Sequence, residues 1–172
     1  MALIKDRKVT LDGWQLLERS TDGAAPFIPE TGDVIVDLSV WRESRGRLIA
    51  RPGRAGVWLD GSADPADIAP DLQHLALVAV RFESFTDGRG YSIGRLLRER
   101  YGWHGELRAI GDVQRDQLYY LARCGFDAFA LRDVEDVESA LKAFNDFTEA
   151  YQAATDEPTP LFRRREMSPP SL

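Results

Sequence analysis

From residue 34 onward the chain alternates short apolar runs with amphipathic stretches, and this rhythm constrains the fold more than any other feature. Residues 34–38 (VIVDL), 57–59 (VWL), 75–80 (LALVAV), 107–110 (LRAI) and 127–131 (DAFAL) read as five strands. The run 75–80 is apolar at every position, as expected of a parallel strand buried on both faces. Helical stretches lie between the strands. The first covers 41–49 and breaks at Arg51-Pro52-Gly53-Arg54. The second starts at Asp64 as N-cap, with Pro65 at the first helical position, and turns Ile68 and Leu72 inward. The third covers 91–101, has Ile93, Leu96, Leu97 and Tyr101 on one face, and closes at Gly102. Asp112 is expected to cap a fourth helix ending at Gly125. Asp133 is expected to cap the last, which carries Val137, Ala140, Leu141, Phe144, Phe147 and Tyr151 at helical spacing.

Such units joined by a few residues imply an α/β fold with a mainly parallel sheet of about five strands and helices on both faces, flavodoxin-like or Rossmann-like. A partial (βα) barrel is the alternative. A full eight-unit barrel needs about 250 residues, and the chain has 172. Residues 1–33 read as an N-terminal hairpin or edge segment and loop, turning at Asp6-Arg7. Residues 34–154 read as a single α/β domain, and 155–172, rich in Pro, Ser and Arg, as a flexible tail.

Several function classes fall away on composition. No apolar run approaches the ~20 residues of a membrane span, and Lys5 and Asp6 interrupt the start too early for a signal peptide. A cytoplasmic protein is the expectation. A single Cys excludes an internal disulfide framework and an all-cysteine metal site. His74 and His104 lack metal-ligand spacing, and no metal site is expected. The formal charge is −6, with a mildly basic middle between acidic flanks, too weak a field for nucleic acid. The four Trp read as core or interface residues and allow a homo-oligomer. Of the 22 basic residues 19 are Arg, the side chain suited to planar contact with oxyanions.

Parallel sheets bind ligands beyond the carboxyl ends of their strands. That rule selects Asp60-Gly61, the loop from Arg81 to Gly90, Gly111-Asp112, and Arg132-Asp133. The richest segment is 85–95 (FTDGRGYSIGR). Gly88, Gly90 and Gly94 would let backbone N–H groups approach an anion, with Asp87, Arg89 and Arg95 beside them. The competing reading is that Asp87-Gly88 is turn chemistry and Gly90 allows close packing. A second cluster holds Arg108, Gly111, Asp112, Arg115 and Asp116. Arg108 falls inside a buried strand and must be paired; Asp87, Asp112 and Asp116 are the candidate partners. This cluster reads either as a structural ion-pair network or as an Arg/Asp site at the strand ends. Cys124 is a small buried residue or, at a low pKa, a redox thiol.

The runs FTDGRGYS (85–92), RLLRER (95–100), GELRAIGDV (105–113) with Arg115-Asp116-Gln117, and RCGFDAF (123–129) occur in order at fitting distances. On these motifs the chain resembles a bacterial family of unknown function. Its members are usually described as oxidoreductases involved in sulfite reduction, and they tend to be encoded beside the sulfite reductase haemoprotein. The resemblance is dense over 81–131 and looser toward 34–36. One departure is that the family tends to read Phe-Pro-Lys-Phe where this chain has Phe82-Glu83-Ser84-Phe85. The resemblance implies a pathway rather than a mechanism, and it assigns neither catalytic residues nor a cofactor. It implies an accessory protein of assimilatory sulfite reduction, binding the haemoprotein system or a small oxyanion through the Arg-rich edge. A redox enzyme in its own right and a structural subunit without a ligand are the alternatives.

Overall fold

The computed structural model describes residues 3–132 and 136–167. Eight strands form one sheet: β1 (Leu3–Lys5), β2 (Lys8–Thr10), β3 (Trp14–Leu16), β4 (Asp33–Asp37), β5 (Ala55–Leu59), β6 (Leu77–Phe82), β7 (Glu106–Gly111) and β8 (Ala128–Ala130). Among the described residues five α-helices accompany them: α1 (Leu38–Ala50), α2 (Arg89–Glu99), α3 (Leu118–Arg123), α4 (Val137–Ala143) and α5 (Leu161–Met167). Strands β3 to β8 lie side by side in chain order and run parallel. Beyond β8, β1 and then β2 add in antiparallel sense. The hairpin β1–β2 turns at Asp6 and Arg7, both at positive φ (50° and 59°), the backbone that a tight two-residue hairpin requires.

The architecture corrects the sequence expectation in two respects. The sheet has eight strands rather than about five, because the N-terminal segment contributes three. The strand order also lacks the reversal that defines flavodoxin-like and Rossmann-like sheets, and without it all crossovers fall on one side. Helices therefore cover one face only. On that face Val36, Val57, Val80, Leu107 and Phe129 pack with Trp41 and Leu48 of α1, Leu97 of α2 and Leu121 of α3. The other face holds a separate cluster of Leu3, Ile35, Leu77, Ala79, Ile110, Ala128 and Ala130, none of them helical. The two-residue period of β6 makes the division plain: Leu77 and Ala79 point to one side, Val78 and Val80 to the other.

Chain connectivity forces the sheet to curl. The edge strands β2 and β3 are joined by residues 11–13 alone. Four Cα steps reach at most about 14 Å, whereas eight flat strands would hold their edges about 34 Å apart. The sheet is accordingly a curled half-barrel, with the helices on its convex side.

Buried charge fastens this curl. Arg108 on β7 points into the concave side and is 2% exposed. Its Nε donates to Glu106 Oε1 at 2.8 Å, and its Nη1 donates to Asp12 Oδ2 at 2.9 Å. Asp12 belongs to the link between the two edges, and its other oxygen accepts from the Trp14 N–H at 3.0 Å. Lys5 donates to the second Glu106 oxygen at 2.7 Å. The expected partners of Arg108 (Asp87, Asp112 and Asp116) are replaced by Glu106 and Asp12, because Arg108 faces the barrel interior and not the strand ends.

Local differences have local causes. Asp64 does cap, accepting from the Ala66 N–H at 2.9 Å, but two short 3-10 turns follow instead of an α-helix. Pro70 lacks the N–H that an α-helix would need there. Asp133 lies outside the described residues; the N-cap of α4 is Asp136, accepting from the Glu138 N–H. That helix ends at Ala143, which leaves Phe147 and Tyr151 exposed. Within the segment read as a tail, α5 docks Arg164 on Glu149 at 3.0 Å.

The ion cluster sets a stability expectation. Arg108→Leu leaves Glu106 buried with Lys5 as its remaining partner, and should cost about 3–5 kcal/mol in urea unfolding. Adding Glu106→Leu removes the stranded charge and should recover a large part of that loss. If the double variant is no more stable than the single, the cluster is not what holds the curl.

Candidate functional site

The parallel strands deliver their C-terminal ends to one rim. Strand β4 ends at Asp37, whose carboxylate caps α1 by accepting from the Val40 N–H at 2.8 Å and from the Ser39 hydroxyl. Strand β5 brings Trp58 and Leu59 to the rim, followed by Asp60, and β6 brings Arg81. Together with Glu18, Arg19 and Arg42 these residues line an open cleft of about 590 Å³.

Arg81 is the centre of this rim. Its guanidinium lies 4.0 Å from the centroid of the Trp58 ring, a stacked cation–π contact. Its Nη2 donates to the Glu18 carboxylate. Nε and Nη1 have no hydrogen-bond partner among the described residues. The Trp58 Nε1–H is likewise buried and unpartnered. The other rim charges are engaged. Arg19 donates to Ser39 and Glu43 at 3.1 and 2.6 Å, and Arg42 pairs with Asp67 at 3.1 Å. Asp60 accepts from the Ser62 hydroxyl and N–H, which hold its carboxyl below the usual range against the opposing effect of burial. Behind Arg81 the inside of the curl opens into a second cavity of about 340 Å³, also lined by Arg81.

The structure distributes the sequence-selected residues over separate places. Asp87 and Arg89 form an exposed pair at 2.7 Å across the start of α2. They lean on the loop after β5, where a Cβ on Gly61 would come within 2.9 Å of Asp87 Oδ2. Gly88 is the N-cap residue, in ordinary right-handed backbone. A Cβ on Gly90 would meet the Phe82 ring at 2.6 Å, and one on Gly94 would meet Phe126 at 2.4 Å, so both glycines serve close packing. Arg95 pairs with Glu99 at 2.9 Å along α2. Gly111 has φ +93° and lies against the Phe82 carbonyl, where a side chain would be strained.

Asp112 does not cap a helix. It accepts from the Phe85 N–H at 2.9 Å and pairs with Arg132 at 3.1 Å, tying the loops after β6, β7 and β8 together. The cap of the following turn is Gln114, in a reciprocal box with Gln117. Arg115 pairs with Asp146 at 2.9 Å, and Asp116 is exposed. Cys124 is buried, and burial pushes its thiol up, with Arg95 and Arg123 acting against it. Arg89, Arg95, Arg108 and Arg115 each satisfy a carboxylate of the fold and converge on no common point.

The sequence rule of strand ends had selected Asp60-Gly61 and the loop beginning at Arg81, yet Trp58 read as core and Glu18 and Asp37 carried no signal. Among the described residues no group of three or more His, Cys, Asp or Glu is placed to hold a metal ion. No helix among them is long and apolar enough to cross a membrane.

The family motifs have a structural meaning. Arg98 of the RLLRER run donates to the carbonyls of Trp103, Gly105 and Gly125 at 2.7, 2.8 and 2.9 Å, and to Asp127 at 2.7 Å. Asp127 also accepts from the Leu107 N–H at 2.9 Å. A single guanidinium thus joins three of the four motif runs. A family model described as "Bacterial protein of unknown function (DUF934)" matches residues 56–162. No curated protein matches the chain.

The Asp87–Arg89 pair has a pH signature. Hydrogen bonds from the Arg89 side chain and backbone lower the Asp87 carboxyl from 3.8 to about 2. A depressed folded-state pKa stabilises the fold above the unfolded value, and that contribution is lost as pH falls through the folded one. Carboxyl NMR should therefore titrate Asp87 near pH 2 in the native protein, and back toward 3.8 in Arg89→Ala. A native midpoint near the ordinary value would dissolve the pair in solution.

Proposed function

The chain belongs to this bacterial family of unknown function, and from that premise we propose that it is an accessory protein of assimilatory sulfite reduction, binding a small oxyanion at the strand-end rim around Arg81. The motif resemblance supports the pathway. One observation carries the binding: a guanidinium stacked on Trp58, with two nitrogens uncommitted among the described residues, at the edge of a cleft where parallel sheets take ligands. A planar fork of donors matches sulfite or sulfate oxygens, and stacking on indole holds that fork in place before the anion arrives. Glu18 already occupies one side of Arg81 and competes with the anion.

The arginines of the Arg-rich edge selected from the sequence are each paired with a carboxylate of the fold, which favours Arg81 over Arg89 and Arg115 as the anion site. The reading of the chain as a thiol redox enzyme gains no support from Cys124, whose buried thiol is pushed up rather than down. In the proposed role the protein works in the cytoplasm with the sulfite reductase haemoprotein as its partner.

Calorimetric titration with sulfite and sulfate tests the binding. Arg81→Ala should weaken it tenfold or more, from the loss of a charge-assisted contact worth about 1.5–3 kcal/mol. Arg89→Ala should leave it within about twofold, and Glu18→Gln should strengthen it severalfold by freeing Arg81. Failure of the native protein to bind either anion, together with failure to co-purify with the haemoprotein, would sink the proposal.

A further inference from the structure

We infer that the half-barrel interior behind Arg81 accommodates the apolar body of an organic oxyanion, a sulfonate or carboxylate whose head rests on the Arg81 guanidinium. This deepens the reading of Arg81 as an anion site and rests on it. Parallel barrels normally fill their interior with layers of large branched side chains. Here the inward position at the end of β8 is Ala130, and beside it lies the cavity of about 340 Å³. An apolar cavity of about 150 Å³ suffices for benzene, so this one admits a substantially larger group.

The lining chemistry selects the ligand. Trp14, Leu16, Ile35, Ile110 and Ala130 provide apolar walls. Arg108, which also lines the cavity, brings no free charge, because Glu106 and Asp12 neutralise it at 2.6 and 2.9 Å. Arg81 is the cation that lines both this cavity and the outer cleft, and its Nε and Nη1 are uncommitted among the described residues. The opposing charges at this end are Glu18, which holds Arg81 Nη2 from the cleft side, Asp112, already held by Arg132 and the Phe85 N–H, and Glu83, which is exposed. A long apolar body with one anionic end satisfies all of these groups. A bare inorganic anion uses only the rim and leaves the interior to water.

A homologous series tests the inference on the intact protein. Inorganic sulfite, methanesulfonate, butanesulfonate, hexanesulfonate and hexylammonium are titrated by calorimetry, and methyl NMR follows Ile35, Ile110 and Ala130. Affinity should rise about fourfold per methylene until the cavity is full, and the three residues' methyl signals should shift together in the native protein. Ala130→Leu should flatten the series, and Ala130→Val should do so in part, giving a smaller substitution if leucine upsets the fold. A flat series with sulfite still bound overturns the interior site and leaves the rim reading standing. Loss of every anion, sulfite included, overturns both. Tighter binding of hexylammonium than of hexanesulfonate assigns the mouth to a cation through Glu83 and overturns the inference.

Discussion

Three residues join the two edges of an eight-stranded sheet, and everything else in the molecule follows from that short link. A sheet so tethered has to curl until its edges approach, and curling turns one face inward and the other outward. The inward face then needs a centre that tolerates close approach from several strands. Arg108 provides it by reaching from β7 to Asp12 in the link and by sharing Glu106 with Lys5 of β1. Burying such charges is costly unless each finds a partner, and here each does. The cluster joins β1, β7 and the link in one network.

The same curl decides where chemistry can occur. With α1 to α4 on the convex side, the concave side stays accessible at the strand ends. The strand-end rim gathers Asp37, Trp58, Asp60 and Arg81 from three consecutive strands and the loops that follow them. Capping and turn formation engage Asp37 and Asp60, while Arg81 keeps two nitrogens uncommitted among the described residues at the point where cleft and interior meet. The small side chain of Ala130 on β8 borders the cavity directly behind it. Rim and interior thus meet at one guanidinium, with apolar walls on its inner side.

The strands from β4 to β8 were legible because each carries an apolar run that stands out from its polar flanks. Strand order was not. Singly wound and doubly wound sheets produce the same alternation of strand and helix, and the information that separates them lies in contacts between residues far apart in sequence. The pairing of Asp12 with Arg108, 96 residues apart, is the decisive one. Arg108 itself was a legible warning, since an arginine inside an apolar strand demands a partner, but periodicity cannot say which. The strand β3 escaped notice because its three residues show no run. At the site, Arg81 was visible only as the first residue of a loop, and Trp58 looked like core because it sits in an apolar triplet. Their stacking exists only once β5 and β6 pair in register.

The excess of arginine over lysine also takes on a structural sense. Arg98 reaches three carbonyls and a carboxylate, and Arg51 reaches the carbonyls of Pro29, Gly32 and Arg54. Arg47 and Arg123 donate to the carbonyls of Ile28 and Gln152. Each guanidinium presents five donors in a fixed fork, so one side chain can satisfy several loop carbonyls that no strand or helix pairs. An ammonium carries three donors on a single atom and cannot span such separated acceptors. Long connections between short strands leave many carbonyls of this kind, and a chain built this way favours arginine for reasons of folding alone. Arg81 is distinct on that account. It is held by an aromatic face and one carboxylate, and among the described residues it engages no loop carbonyl.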